Sequence, residues 1–418
     1  MTPKIRVAML AGALALALTP AHALTLDEAW QQVLAGHPAL AASAADLEAR
    51  QARVEQAGRG LNPELEFEVE NFAGSGGFSS FDDADLTLLL SQTWERGGKA
   101  DSRRALANAE LEKGRTANEL ALLTLHTDLA RSWVEVLAAR RRVAQADTLT
   151  AVADRDRQAV ARRVAAGAES RIASQRAHLG WAAARREGDR AREALHTARL
   201  RLGALWGDDQ AAYDPVEGDL ERLMVVPTWT EVLDRIPTSP VTRLTTAELA
   251  GARAAVELAT SSGAVDLTTA AGLRRLSGTD DYAFVAAVGI PLAVRNTNRD
   301  AQRAAAADVV RFDADVRAAE VSLKAELADA WGRLSSSRAD AVSIRRDMLP
   351  AAGAALDEAR TAYSRGAYSL TDVFAVRRTW VEWQLAHVEA LTLHHLAAVD
   401  LAALLGNDIT EISLEDRP

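Results

Sequence analysis

Four carboxylates spaced two residues apart are the most distinctive local chemistry of this chain. In the segment Leu61 to Asn71, Glu64, Glu66, Glu68 and Glu70 alternate with Leu65, Phe67 and Val69. Period-two patterning predicts a strand with one acidic and one apolar face. A second run, Val265 to Arg274, sets Asp266, Thr268 and Arg274 against Val265, Leu267, Ala271 and Leu273. Facing a barrel lumen, such carboxylates would favour the passage of cations. Other reactive constellations are missing from the sequence. There is no cysteine, hence no disulfide, thiolate metal site, thiol nucleophile or lipidated N-terminal Cys. Of the histidines beyond His22, only His394 and His395 are close, and adjacent helical residues do not face one ligand. His387 and His394 lie two turns apart, beyond the usual ligand spacing. Gly97-Gly98-Lys99 lacks the spacing of a phosphate loop, and no H-E-x-x-H motif occurs. The expectation is a protein with no catalytic residues, no metal site and no cofactor, which takes its energy from a partner.

The elements that must position the acidic face are strands and very long helices. Strands are expected at about 61–71, 85–94, 264–276 and 282–294. The second places Leu86, Leu88, Leu90 and Trp94 on one face and Thr87, Ser91 and Thr93 on the other. The fourth places Tyr282, Phe284, Ala286, Val288, Ile290 and Leu292 together. About ten residues suffice for a tilted strand to cross a bilayer. Four strands cannot close a membrane barrel, so a spanning sheet must be completed by other copies of the chain. The competing expectation is a half-exposed soluble sheet. Proline-free sequence rich in Ala, Leu, Glu and Arg runs from about Lys99 to Arg163, predicting a helix on the order of 100 Å long. Its apolar stripe is Leu122, Leu125, Leu129, Trp133 and Val136. A second such helix, about Arg299 to Arg365, is interrupted only by Pro350, with a stripe from Phe312 to Leu334. Each turns at a Gly, Gly167 or Gly366, into a returning helix of about 40 residues. The first helices, about Thr25 to Gly58 and Val241 to Ser261, are expected to stack end to end with the returning ones.

These elements recur in order. Pro38, Leu47, Glu55 and Leu65 fall on Pro240, Leu249, Glu257 and Leu267, an offset of 202. Gly167-Ala168, Ser170, Leu202 and Gly207 fall on Gly366-Ala367, Ser369, Leu401 and Gly406, an offset of 199. The reading is a duplicated unit, mainly α: a signal segment at 1–23, a first repeat at 24–207, a linker at 208–240, a second repeat at 241–406 and a tail at 407–418. Lys4 and Arg6, the apolar run Val7 to Leu18 and Ala21-His22-Ala23 form a secretory signal, with cleavage expected after Ala23. Losing Lys4 and Arg6 takes the net charge from −10 to −12, and that acidity argues against nucleic acid. Aromatic residues make up only 5% of the chain, which suits close-packed helices better than a thick globular core.

Leu24-Thr25-Leu26-Asp27-Glu28-Ala29 with His37-Pro38-Ala39-Leu40, Gly97-Gly98-Lys99, Pro291 to Asn296, and Tyr363 to Asp372 together resemble the TolC family of outer-membrane efflux proteins. The resemblance covers essentially the whole mature chain and is strongest to the CzcC-like heavy-metal branch. It implies a homotrimer in the outer membrane of a Gram-negative bacterium. Four strands per chain would close a twelve-stranded barrel in lipid, and the helical hairpins would form a periplasmic α-barrel. It implies as partners a periplasmic membrane-fusion adaptor and an inner-membrane RND pump, with transported cations as cargo. Gly167, Ala168, Gly366, Ala367, Ser369 and Leu370 are the implied adaptor-docking tips. Asp372, with Glu169 as a further candidate, is the implied periplasmic gate; the alternative for Asp372 is a helix cap. Ala375 and Ala173 stand where a second acidic residue would strengthen that gate. The expected function is the exit duct of a tripartite pump for divalent heavy-metal cations. The same duct for drugs, organic compounds or type I secretion, and a secreted coiled-coil scaffold or adhesin without a pore, are the alternatives.

Overall fold

The computed structural model describes residues 23–210 and 216–407; the signal segment through His22 and the tail beyond Asn407 lie outside the described residues. The chain opens with α1 (Leu26–Gly36) and α2 (Pro38–Ala57). One helix is expected over 25–58, but the backbone breaks at His37, which is extended at φ −77°, ψ 119°. The residue before a proline is pushed out of the helical region, and Pro38 then starts the next helix at its favoured first position. β1 (Glu64–Glu70) and β2 (Asp85–Trp94) follow, then α3 (Lys99–Ala165), α4 (Arg171–Ala204) and the short α5 (Trp229–Asp234). The second half repeats the order with α6 (Pro240–Ser261), β3 (Leu267–Leu276), β4 (Asp281–Gly289), α7 (Arg299–Ser343), α8 (Leu349–Ser364) and α9 (Leu370–Leu405).

The strands are shorter than expected at three ends. Pro63 and Pro291 have no N–H to give to a ladder, so β1 starts after the first and β4 stops before the second. Asp266 is drawn away from β3 by hydrogen bonds from the Arg96 amide and Lys99 Nζ. The sheet is antiparallel throughout, in the order β1-β2-β3-β4, so β1 and β4 are open edges.

α3 runs unbroken for 67 residues, about 100 Å. Its counterpart changes to a π-turn over Ile344–Met348 before Pro350. A proline cannot donate to the carbonyl four residues back, and the wider turn absorbs the lost bond. The helices form a wall. α2 and α4 pack on α3, α6 and α9 pack on both α3 and α7, and α8 packs on α9. Across the wall the order is therefore the same as that of the strands. Returning and first helices abut end to end: a Cβ on Gly36 would lie 2.7 Å from the Trp206 carbonyl oxygen, and one on Gly406 2.8 Å from Pro240 Cγ. The returning helices have 34 and 36 residues, slightly under expectation.

The largest apolar cluster lies where α1, α3, α4 and α9 meet the segment after 216, around Leu26, Leu129, Trp133, Leu202, Leu220 and Leu391. α9 is long and apolar enough to cross a membrane, but 67% of its most apolar stretch is buried inside the chain, as befits a core helix. The connecting segment is strapped across the wall mostly through its own backbone. Trp133 Nε1 donates to the Glu217 carbonyl (3.1 Å), Arg140 to Val216 (2.6 Å) and Gly218 (3.0 Å), and Trp331 Nε1 to Pro227 (2.8 Å). The histidines of α9 are the other half of this clasp. His395 Nε2 meets the Leu220 carbonyl at 2.9 Å, His387 Nε2 meets Glu221 Oε2 at 3.1 Å, and the Met224 amide donates to His394 Nε2 at 3.0 Å.

Accepting from an amide requires a neutral imidazole, and burial with His395 alongside lowers the His394 pKa from 6.5 to about 4. The contribution of His394 to stability is complete above pH 6.5. It is lost as pH falls towards 4, because the unfolded chain takes up the proton first. The thermal midpoint of the detergent-solubilised protein should fall across this window. His394→Gln, which keeps an acceptor and removes the titration, should flatten that fall; equal slopes for the two proteins would contradict the assignment.

Candidate functional site

Pairing register fixes which residues share a sheet face. Glu68 stands opposite Thr87, and Thr87 opposite Arg274. Arg274 reaches back across β2 to Glu70 at 2.7 Å and Glu68 at 3.8 Å, and gives its Nε to the Thr87 hydroxyl at 2.8 Å. The expectation of four free carboxylates is thereby halved. Glu64 and Glu66 make no ion pair among the described residues, whereas Glu68 and Glu70 are compensated. Asp266 also leaves the set, because it precedes β3 and is ion-paired with Lys99 at 2.7 Å. Arg274 was visible in the sequence on the polar side of its strand. Its pairing required the register between the two halves of the chain.

The opposite face is bare and mostly apolar, with Arg275 at its loop end paired to Asp280. Leu65, Phe67, Leu88, Leu90, Leu273, Tyr282 and Phe284 are all exposed, Phe284 to 92%. Rows such as Phe67–Leu88–Leu273–Phe284 run from edge to edge in register. An apolar surface of this extent in a folded chain marks contact with lipid or protein.

The two hairpin tips are built alike. Past α3, the Ala168 amide bonds the Arg163 carbonyl and the Gly167 amide that of Val164; past α8, Ala367 bonds Ala362 and Gly366 bonds Tyr363. This pair of bonds closes a helix through a left-handed residue, and Gly167 and Gly366 have φ of 72° and 78°. Ser170 and Ser369 then cap the returning helices. Gly167, Ala168, Gly366, Ala367 and Ser369 are exposed at the tips, but Leu370 is buried with Val160, Ala173 and Val373 and is removed from the candidate docking surface.

Asp372 is exposed and forms a capping box, its carboxylate accepting from the Ser369 amide (3.0 Å) and hydroxyl (2.7 Å). Those bonds from Ser369 hold its pKa below the usual carboxylate value. Capping is thus its role within one chain. Glu169 accepts from the Tyr363 hydroxyl at 3.1 Å, joining the two tips, and burial with that bond pushes Tyr363 up to about 12.

A charge cluster that the sequence reading missed lies just behind the tips. Asp156, nearly buried, binds Arg360 at 3.2 Å and Arg377 at 3.1 Å, tying α3 to α8 and α9. It borders a groove of about 550 Å³ that also involves Arg155, Arg163, Tyr363 and Val373. The usable signal was broken symmetry: at the 199 offset the counterparts are Ala355, Ala161 and His178.

Residues 29–208 match the family described as outer membrane efflux protein. The chain is 28% identical to the cobalt-zinc-cadmium resistance protein CzcC of Cupriavidus metallidurans, over 92% of this chain and 90% of that protein. The chain is also 28% identical to the nickel-cobalt-cadmium resistance protein NccC of Alcaligenes xylosoxydans, over 75% of its own length and 72% of the relative's. Among solved structures, the outer membrane protein VceC of Vibrio cholerae superposes with a TM-score of 0.75 at 20% identity, covering 91% of this chain and 96% of that one. CusC gives 0.76 at 14% identity, covering 92% of each chain. The fold is the one these channels share, a helical barrel joined to β-strands.

Removing one partner of a buried ion pair leaves uncompensated charge, at a cost of about 3–5 kcal/mol. Asp156→Ala strands Arg377, leaves Arg360 only its 3.8 Å contact with exposed Asp357, and should lower the thermal midpoint clearly. Glu169→Ala, which cuts the bonds from the Tyr363 hydroxyl and the Ser170 amide but strands no buried charge, should lower it less. Equal midpoints for Asp156→Ala and the parent protein would refute the clasp.

Proposed function

We propose that three copies of the chain form the outer-membrane exit duct of a tripartite efflux pump that exports divalent heavy-metal cations. The observation that carries the cargo is similarity, over nearly the full length of both chains, to a cobalt-zinc-cadmium resistance protein. The nickel-cobalt-cadmium resistance protein supports the same reading. The geometry suits a duct. A four-stranded sheet with a lipid-compatible face and two open edges needs further strands, and three copies bring the count to twelve, above the minimum of about eight. The helical wall, about 100 Å along α3, would continue the barrel into the periplasm. There its Gly-centred tips would meet a membrane-fusion adaptor carried by an inner-membrane RND pump. Secretion would follow cleavage after Ala23, with no Cys to lipidate.

Within the ring, Asp372 would contribute one exposed carboxylate per copy at the closed end. Like charges near a threefold axis attract cations, so the cap of a single chain can also serve as the gate of three. Glu64 and Glu66 would supply the uncompensated carboxylates of the barrel lumen.

Expression in cells that lack their own metal-efflux duct, with adaptor and pump retained, should restore growth in cobalt, zinc, cadmium or nickel. Restored resistance to organic compounds or restored protein secretion, with no metal phenotype, would move the cargo to those classes. A soluble monomer without detergent would favour the scaffold reading and overturn the duct. For the gate, Asp372→Ala should raise leak conductance in planar bilayers and weaken block by trivalent cations, while Ser369→Ala, which removes only the cap hydroxyl, should leave cation block intact. If Asp372→Ala changes neither quantity, Asp372 is a cap alone.

A further inference from the structure

The two ends of the sheet carry opposite charge. At the end that joins the helices, Arg59 precedes β1, Arg96 follows β2, and Arg295 and Arg299 follow β4. All four side chains are exposed, and none has an acidic partner among the described residues. Of the acids at this junction, Glu95 pairs with Arg103 and Asp266 with Lys99, while Glu64 and Glu66 belong to the polar face of β1. At the far end stand Asp82, Asp85, Asp280 and Asp281, of which only Asp280 has an ion pair among the described residues, with Arg275.

The arginines also adjoin bare apolar surface. Trp94 at the end of β2 is 57% exposed, and Leu292 and Val294, in the segment that leads to Arg295, are 80% and 81% exposed. Backbone contacts hold these segments at one level. The Arg103 guanidinium donates to the Arg59 carbonyl and the Arg96 amide donates to Asp266, while Asn298 Nδ2 bonds the Ala259 carbonyl at the end of α6. Unpaired guanidiniums beside an apolar band with a tryptophan at its rim match the chemistry of a phospholipid: phosphate oxygens for the bidentate Arg fork, glycerol and acyl chain for the apolar neighbours.

We propose that Arg59, Arg96, Arg295 and Arg299 form a collar that binds the anionic headgroups of the bilayer leaflet on the helix side of the sheet. This rests on the membrane-spanning reading of the strands and not on the identity of the cargo. Basic residues at a membrane surface gain from anionic lipid within a Debye length, so the collar sets how deep the sheet sits and which lipid surrounds it.

The test is native mass spectrometry of the oligomer extracted from outer membranes, with phosphatidylglycerol and phosphatidylcholine of identical chains at equal concentration. The parent protein should retain on the order of tenfold more phosphatidylglycerol, less so at high salt. The Arg59→Gln, Arg96→Gln, Arg295→Gln, Arg299→Gln variant should lose that preference while keeping oligomer mass and conductance. Arg96→Gln with Arg295→Gln alone should lose part of it, which covers failure of the fourfold variant to assemble. Absence of a preference in the parent, or its persistence in both variants, overturns the proposal. So does displacement of the lipid by millimolar inorganic phosphate, which would mark a free-anion site. A change of ion selectivity with unchanged lipid retention would place the arginines in the lumen and likewise overturn it. Metal resistance is scored separately in the same cells. Lost resistance with intact lipid preference sinks the cargo assignment alone, and failure to fractionate with outer membranes sinks both.

Discussion

Everything in this molecule answers to the two open edges of its sheet. β1 and β4 each expose a row of backbone N–H and C=O groups, and one face between them is apolar. In water such an edge invites aggregation, and in lipid it leaves several kcal/mol per group unsatisfied. Only another strand supplies the missing bonds. The helical wall has edges of its own, α2 with α4 on one side and α7 with α8 on the other, because each strand runs into or out of the helix beneath it. One closure condition thus governs both layers. A neighbour that completes the ladder between β4 and β1 also brings α7 beside α2. The contact is head-to-tail, so it closes only as a ring.

The duplication makes that ring possible, and its departures from symmetry distinguish contacts within a chain from contacts between chains. The two tips share one backbone design, down to the same pair of carbonyls bonded behind Gly167 and Gly366. Behind them the copies differ. Asp156 holds Arg360 and Arg377, but the equivalent positions are Ala355, Ala161 and His178, so no second triad of this kind can form. Glu169 and Tyr363 add a bridge on the same side. Hairpins of one chain are therefore locked to each other by charge, and a junction between neighbouring copies would lack this lock. A tip that moves would move as a chain-sized unit of two hairpins.

How much of this the sequence revealed depends on range. Local pattern sufficed for the long helices, the alternating strands and the Gly turns, since each follows from a period or a single backbone preference. Boundaries slipped where one residue overrides the pattern: Pro38 divides the first helix, and Pro63 and Pro291 shorten strands that their apolar alternation would extend. The site was less legible. Glu64 to Glu70 read as equivalent in sequence, and they stop being equivalent only when Arg274, some two hundred residues away, enters through the β2–β3 register. Asp372 read as a gate because of its place after the tip, while its Ser369 bonds are those of a capping box, a motif equally present in the spacing. The histidines of α9 read as structural, and their task, holding the backbone of the 216–227 segment, involves contacts too distant in sequence to infer.

The pairing of Glu68 and Glu70 also changes what the sheet can do to an ion. On β1 the carboxylates without an ion pair among the described residues are Glu64 and Glu66, at the end nearest the helices, while Glu68 and Glu70 are compensated by Arg274. Among the described residues no group of three or more His, Cys, Asp or Glu side chains is placed to hold a metal ion. Glu64 and Glu66 of each copy would act on a passing cation through their field. Fields of this kind raise the local concentration of cations of either valence and discriminate poorly between metals of equal charge. Choice among cobalt, zinc, cadmium or nickel would have to be made upstream, by ligands that bind and release the ion. For the duct, weak and unselective attraction is the useful property, because a site that bound the metal tightly would hold it back from leaving.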